Sequence, residues 1–397
     1  MTDAPDERRT KVLVLNSGSS SIKFELFGMD PLARLAEGLV ERIGASDVRD
    51  HREGFERVLR AIAGSGSLRD ASELFGIGHR VVHGGEAFRG AVRIDPGVVE
   101  AIRSLIPLAP LHNPANLEGI EVALRLAPRV PQVAVFDTAF HQTAPPRAFR
   151  YALPREHYTV HRVRRYGFHG TSHAYVARRA AEMAGLPAAS LNLVTLHLGN
   201  GASAAAIRGG ICIDTSMGMT PLEGLVMGTR CGDLDPSVPY YLSRATGRPA
   251  QEVERILNEE SGLKGLCGAA DMRDVRRMEA DGDPDAALAL EMYAYRVRKY
   301  IGAYFAALGR VDAVVFTAGV GENDAGIRAR ACEGLSPLGI SLDEGRNRSG
   351  SREARAIHRE GAPVRVFVIP TDEELEIARQ TVSCLGQEGG QPRSREP

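Results

Sequence analysis

Residues 13 to 24, LVLNSGSSSIKF, form an alternating apolar run broken by a turn of small hydrogen-bonding residues, and the pattern returns later in the chain. Shifted by 183, the segment lies on LHLGNGASAAAI: Leu13 meets Leu196, Leu15 meets Leu198, Gly18 meets Gly201 and Ser20 meets Ser203. A chance match of two glycine hairpins is one reading. The other is an internal duplication: two related domains, each offering a turn of free backbone N–H groups. Facing each other across a cleft, two such turns would grip a polyphosphate from both sides.

At 397 residues the chain has room for two or three domains. A hydrophobic share of 43% with 25% charged residues is that of a soluble globular protein, and a net charge of −1 argues for neither a nucleic-acid nor a membrane partner. No apolar run approaches the roughly 18 residues of a membrane span. MTDAPDERRT at the start does not read as a leader, and GQEGGQPRSREP at the end reads as disordered. Five cysteines, at 212, 231, 267, 332 and 384, have no C-x-x-C spacing. They read as reduced thiols of a cytoplasmic protein without a zinc site. No G-x-x-x-x-G-K-[ST] is present, so a P-loop is not the phosphate device. Of the 49 basic residues only Lys11, Lys23, Lys264 and Lys299 are lysines, and Lys23 follows the serine-rich turn. A compact point charge is suited to that place.

Strand and helix signals alternate. Residues 11–15 and 22–27 read as a hairpin, GHRVVHGG (78–85) as a short strand, and QVAVFD as a strand ending on Asp137. LNLVTLHL, VDAVVFT and VRVFVIP read as buried strands. HNPANLEGIEVALRLAP predicts a helix capped by Asn113, with Pro114 at its first position. A long helix is predicted between the Asp283 cap and Gly309, and a last one over EELEIARQTVSCL. Sheets covered by helices make an α/β protein.

Ten stretches carry a resemblance to one family: VLNSGSSSIKFEL, GHRVVHGGE, PLAPLHNPANL, VFDTAFHQT, RRYGFHGTSH, LHLGNGAS, DTSMGMTPLEGLVMGTRCGDLDP, DMRDVR, FTAGVGEN and IPTDEELEIA, in order from residue 12 to 378. On them the chain resembles the acetate kinases, the acetokinase family of the actin, Hsp70 and sugar-kinase superfamily. The resemblance implies two ribonuclease-H-like (actin-like ATPase) domains with ATP in the interdomain cleft. The N-terminal domain would comprise 1–137 plus 375–397 and the C-terminal domain 138–374.

It also implies roles. NSGSSS, with Ser19 and Ser21, and His197, Leu198, Gly199, Asn200 and Gly201 would be the phosphate loops, whose small residues let backbone amides approach phosphate oxygens. Lys23 would sit near the phosphates. Asp271, Met272 and Arg273 with Gly319, Val320, Gly321, Glu322 and Asn323 would form the adenosine site. Asn16 and Glu373 would hold Mg²⁺, or Mn²⁺ in its place, and magnesium keeps several waters. Arg80 would bind the substrate carboxylate and Arg230 would neutralise the phosphoryl group in flight; taken alone they read as an edge-strand and a solvated loop arginine. A guanidinium fork suits both tasks. His169 would hydrogen-bond the phosphoryl group. Val82, Leu111, Phe168 and Pro221 would enclose the substrate's methyl group, although Val82 alone reads as core. Asp137 ends a strand, where active-site carboxylates gather in open α/β sheets. An acetate nucleophile is already ionised, so Asp137 is expected to act through Mg²⁺ or the arginines and not as a base. Asp372 stands where the family more usually has Asn, a departure that could tune metal affinity.

The activity implied is in-line, reversible transfer from Mg-ATP to acetate, giving acetyl phosphate and ADP, by a cytoplasmic homodimer. A propionate kinase of the same family is the near alternative. A sugar or polyol kinase needs a polar pocket and a true base, against which the apolar quartet speaks. An actin- or Hsp70-like nucleotide switch has no use for two arginines aimed at a small anion.

Overall fold

The computed structural model describes residues 10–45 and 47–388. Both terminal readings above, on MTDAPDERRT and on GQEGGQPRSREP, fall wholly or mostly outside them. The chain divides into two compact units: residues through Phe140 and again from Asp372, and His141–Thr371. Among the described residues each unit holds one six-stranded sheet.

The first sheet contains β1 (Lys11–Ser17), β2 (Ser21–Met29), β3 (Leu32–Glu41), β4 (Leu74–Val81), β5 (Val92–Arg93) and β6 (Gln132–Phe136), in the order β3-β2-β1-β4-β6-β5. The second contains β7 (Asn192–Leu198), β8 (Ala202–Arg208), β9 (Ile211–Thr215), β10 (Ala313–Thr317), β11 (Arg355–Ala356) and β12 (Arg365–Val368), in the order β9-β8-β7-β10-β12-β11. The two orders are the same, strand for strand. So are the directions: an antiparallel meander of three, two parallel neighbours, and an antiparallel edge. The duplication read from the two hairpins is therefore carried by the whole sheet.

The hairpins themselves are not in the register of the ungapped match. Ser17 pairs with Ile22 across four intervening residues, whereas Leu198 pairs with Ala202 across three. Matching strand ends sets Ser17 against Leu198, a shift of 181. Aligning the glycines had slipped the first strands by two residues, one full strand period, which leaves every side chain on its proper face.

In the first unit one sheet face packs Leu13, Leu15, Phe24 and Leu26 against Phe55, Val58 and Ile62 of the helix His51–Gly64 and Val122 and Ala123 of the helix Asn113–Leu126. Each fully buried side chain of this kind contributes roughly 1.5–3 kcal/mol. The last helix, Glu373–Glu388, packs on β1, β4 and β6. It approaches so closely that a Cβ on Gly78 would lie 2.8 Å from Ile377 Cγ2 and one on Gly76 2.7 Å from Leu385 Cδ1. In the second unit the helix Pro284–Leu308 runs from its Asp283 cap to Gly309, as the sequence predicts. It packs on β7 and β8, whose buried Ala204, Ala205 and Ala206 are small enough to admit it. Among the described residues no helix is long and apolar enough to cross a membrane, and none of the five cysteines is in a disulfide.

Asn113 is not the cap of its helix. His112 is, without a side-chain hydrogen bond, and the buried Asn113 instead brackets His83: its Oδ1 accepts from His83 N (3.1 Å) and its Nδ2 donates to His83 O (3.0 Å). Asn116, one turn on, accepts from Val82 N (3.0 Å) and donates to Ser17 O (2.7 Å). The pair pins the end of β4 to the first turn.

His79 on β4 is buried beside Gln132 Oε1, 2.8 Å from its Nε2. Burial pushes its pKa down from 6.5 to about 4, the hydrogen bond only partly opposing. The unfolded chain therefore takes up this proton first as pH falls. The stability that neutral His79 preserves is complete above pH 6.5 and is lost towards pH 4, by about 3 kcal/mol in all. Chemical denaturation at pH 7 and 4.5 should show this fall, flattened in His79→Gln; an equal fall in both chains would remove His79 as its source.

Candidate active site

In the first unit the charged side chains form one connected group. Arg80 projects from β4, and its Nε lies 3.0 and 3.2 Å from the Asp137 oxygens while its Nη2 lies 2.7 Å from Oδ2. Asp137 follows β6 directly and is buried. Its charge raises the Arg80 pKa against the burial that opposes it. The Glu373 carboxyl is pushed up to about 7, first by loss of surrounding water, then by Asp137 and Glu374, with Arg80 and Lys23 opposing. Lys23 donates to Glu374 Oε1 (2.5 Å) and lies 3.2 Å from Glu25. Burial works against its charge, but the Glu374 bond and both carboxylates outweigh it and raise its pKa. In this unit, then, the lysine expected beside phosphates is engaged by carboxylates. Asn16 faces it across the hairpin.

Asp372 has a structural explanation. Its Oδ1 accepts from Leu375 N (3.0 Å), capping the last helix, and its Oδ2 takes Arg34 Nη2 (3.0 Å). Asn would cap as well; the carboxylate adds the ion pair. Val82 is half-buried, whereas Leu111 is 79% exposed. Ser19 is exposed, and Ser21 is the first residue of β2 and half-buried.

In the second unit the turn after β7 is closed by Gly199 N donating to Gly201 O (2.9 Å). A Cβ on Gly201 would lie 3.3 Å from His169 Nε2 and 3.6 Å from Arg230 Nη1, so both polar groups stand over this glycine. His169 takes a left-handed backbone (φ 59°, ψ 27°) immediately before the helix Gly170–Ala184. A non-glycine residue rarely adopts it, and such strain concentrates at working sites. The His169 ring stacks on His197 at 4.1 Å between centroids. His197 Nδ1 is 2.8 Å from Ser172 Oγ, which is 2.8 Å from Thr371 Oγ1. Arg230 Nη1 donates to Pro221 O (3.3 Å), and burial pulls its pKa below the ordinary arginine value. Phe168 is buried, and Pro221 is half-buried on the loop that Arg230 holds.

Beside this turn opens a cavity of about 690 Å³. Gly199, Asn200, Asp271, Met272, Arg273, Gly319, Val320 and Asn323 line it, gathering two distant motifs and the turn on one surface. Gly228 completes the wall next to the turn, where a side chain would strike Asn200 Oδ1 and stand 3.0 Å from Ala270 O. His197, Leu198, Gly201, Gly321 and Glu322 are not among its lining residues. Residues 318–323 are a short helix, not an open glycine turn, and Ala318 makes the bend with φ 63°. The Glu322 carboxylate accepts from Ala318 N (2.8 Å) and Thr371 N (3.1 Å), tying the ends of β10 and β12 together. Asp271 caps the helix Met272–Ala280 and pairs with Arg273.

The sequence profile of the acetokinase family matches residues 11–379. The chain belongs to the acetokinase family. It is thus a kinase that transfers phosphate. The acetate kinase of Syntrophobacter fumaroxidans is 56% identical over 96% of this chain and 98% of its own. The crystal structure of Porphyromonas gingivalis acetate kinase superposes with a TM-score of 0.92 at 44% identity, covering 95% of this chain and all of that one. A propionate kinase from Francisella tularensis superposes at 0.87 with 41% identity, over 94% of this chain and 99% of its own. Asn116, Ser172 and Thr371, which sequence reasoning did not single out, and Asn113, which it read only as a helix cap, hold the acetokinase motifs in place. The spacing of the two asparagines, three apart at a helix start, was the one available signal.

Proposed function

We propose that the chain catalyses reversible in-line transfer of the γ-phosphoryl group of ATP to acetate, as a cytoplasmic homodimer that uses Mg²⁺. The observation that carries this reading is the convergence of His169 and Arg230 over Gly201, beside a cavity lined by Asp271–Arg273 and Gly319. A nucleoside fits that cavity, and the turn offers backbone N–H groups to the phosphates. Arg230 neutralises charge spreading onto the equatorial phosphoryl oxygens, and His169 donates a hydrogen bond to one of them. Arg80 binds the acetate carboxylate. Asp137 occupies its Nε and one terminal nitrogen, fixing the plane of the guanidinium and leaving the other terminal nitrogen outside the pair. No proton need leave the nucleophile. Asn16 and Glu373 suit magnesium: both offer oxygen, and the carboxyl crowded by Asp137 and Glu374 gains from a cation. The ion would screen phosphate charge.

The test is a panel of C1 to C4 carboxylates with ATP and Mg²⁺, trapping acyl phosphate with hydroxylamine. Hydroxamate should form with acetate, more weakly with propionate, and ATP should stay intact without a carboxylate. Acetate-independent hydrolysis would overturn the reading. One methylene is worth about 1–3 kcal/mol, so acetate is preferred and not exclusive. Val82→Ala should raise the propionate-to-acetate ratio of kcat/KM roughly tenfold; an unchanged ratio removes Val82 from the pocket.

A further inference from the structure

A second cavity, of about 360 Å³, lies in the His141–Thr371 unit, lined by Glu322, Asn323, Ser351, Arg352, Arg355 and Pro370. Asn323 belongs to both cavities, so the two share a wall. The acetokinase reading above uses Glu322 and Asn323 for adenosine and gives Ser351, Arg352, Arg355 and Pro370 of this lining no task.

Its chemistry is set by arginines bonded to uncharged oxygens. Arg355 donates from Nη1 to the carbonyls of Ser351 (2.5 Å) and Glu353 (3.3 Å) and from Nη2 to that of Glu322 (3.5 Å). Its Nε is buried and has no acceptor among the described residues. Arg328, fully buried behind it, donates to the same Glu322 carbonyl (3.0 Å), to Gly321 O (2.9 Å), and to Asn347 Oδ1 and O (both 2.7 Å). Two guanidinium groups thus converge on one carbonyl. Burial and the Arg355 charge pull the Arg328 pKa down to about 10, with Asp324 opposing. The Glu322 carboxylate acts on Arg355 from a distance, but its Oε1 is engaged by Ala318 N and Thr371 N. A withdrawn cation without a close anion is costly, and an anion in the cavity would offset that cost.

We propose that this cavity is an anion site taking a small oxyanion of the phosphate class. The guanidinium groups of Arg355 and Arg352, both in the cavity lining, supply the charge. The Ser351 hydroxyl accepts from Glu353 N (3.1 Å) and keeps its own hydrogen to donate. Asn323 Nδ2 gives one hydrogen to Gly319 O (2.8 Å) and has a second. Guanidinium forks match tetrahedral oxyanions in geometry as well as charge.

The experiment is calorimetric titration of inorganic phosphate into the full chain already saturated with ADP, run beside the same titration of Arg230→Ala, so that phosphate entering the γ-phosphoryl position that ADP leaves vacant is counted separately. ADP binding is read first in the same cell, so a failure of the nucleotide reading is seen separately. The expected result is one phosphate per chain, weakened roughly tenfold or more in Arg355→Gln and in Arg352→Gln, with the KM values for ATP and acetate unchanged. Arg352 is exposed, so its variant tests the site even if Arg355→Gln folds poorly. Unchanged phosphate affinity in the variants, or no binding beside ADP, overturns the proposal. Binding of a tricarboxylate but not of phosphate overturns the class assigned.

Discussion

Arg230→Ala should lower turnover by about 10³-fold or more while leaving the KM for ATP within about threefold. The argument rests on where the charge stands. Arg230 lies over Gly201, beside the His169 imidazole, and its protein partners are the Pro221 carbonyl and the Met227 sulfur. Burial disfavours this cation, which prepares it to meet negative charge that appears as the phosphoryl group moves. An interaction strongest in the transition state is lost from kcat and from kcat/KM alike, and ground-state affinity changes little. Arg230→Lys should recover only a small part, since a point charge cannot span two oxygens in a plane. Steady-state kinetics with ATP varied at saturating acetate measures both quantities. Turnover within tenfold of the unaltered enzyme would strip Arg230 of the role proposed.

The meander hairpins, the long helix and the alternation of strands and helices were legible because period-2 and period-3.6 patterns, caps and glycines are local. The duplication was legible in one short match, yet its register was not. Glycine placement follows what touches each turn, and the two turns differ in length. The nature of residues 318–323 was also hidden. G-V-G-E-N looks like an open turn, but a single left-handed Ala318 and the Glu322 carboxylate on two backbone N–H groups make it helical. Lys23 shows the limit most clearly. Its position after the serine turn suggests phosphate, and nothing in the local sequence says that Glu374, some 350 residues later, will reach it. Asn113 was read as a cap because caps are local; its bonds to His83 depend on β4, which arrives from another part of the chain. The residues of the 690 Å³ cavity come from six separate stretches, and only resemblance to a family could join them in advance.

Asp137→Asn should raise the KM for acetate by about tenfold or more and lower turnover by about 10²-fold, with the pH–rate profile keeping its shape. The amide preserves the size of the side chain and one acceptor for Arg80, but not the charge. The guanidinium loses its bidentate carboxylate partner and with it the fixed plane in which acetate would be held. A carboxylate substrate is ionised far below neutral pH, so a base at this position would have no proton to take. The two roles separate in the kinetics. Loss of a base leaves a variant whose rate recovers as hydroxide takes over at high pH; loss of a positioning group lowers the profile evenly. They separate again in a double-mutant cycle. If Asp137 acts through Arg80, then Arg80→Ala combined with Asp137→Asn should be hardly worse than Arg80→Ala alone, because the second change removes a support whose load is already gone. Strictly additive losses, or a rate that climbs tenfold per pH unit in Asp137→Asn, would show that the aspartate handles a proton itself.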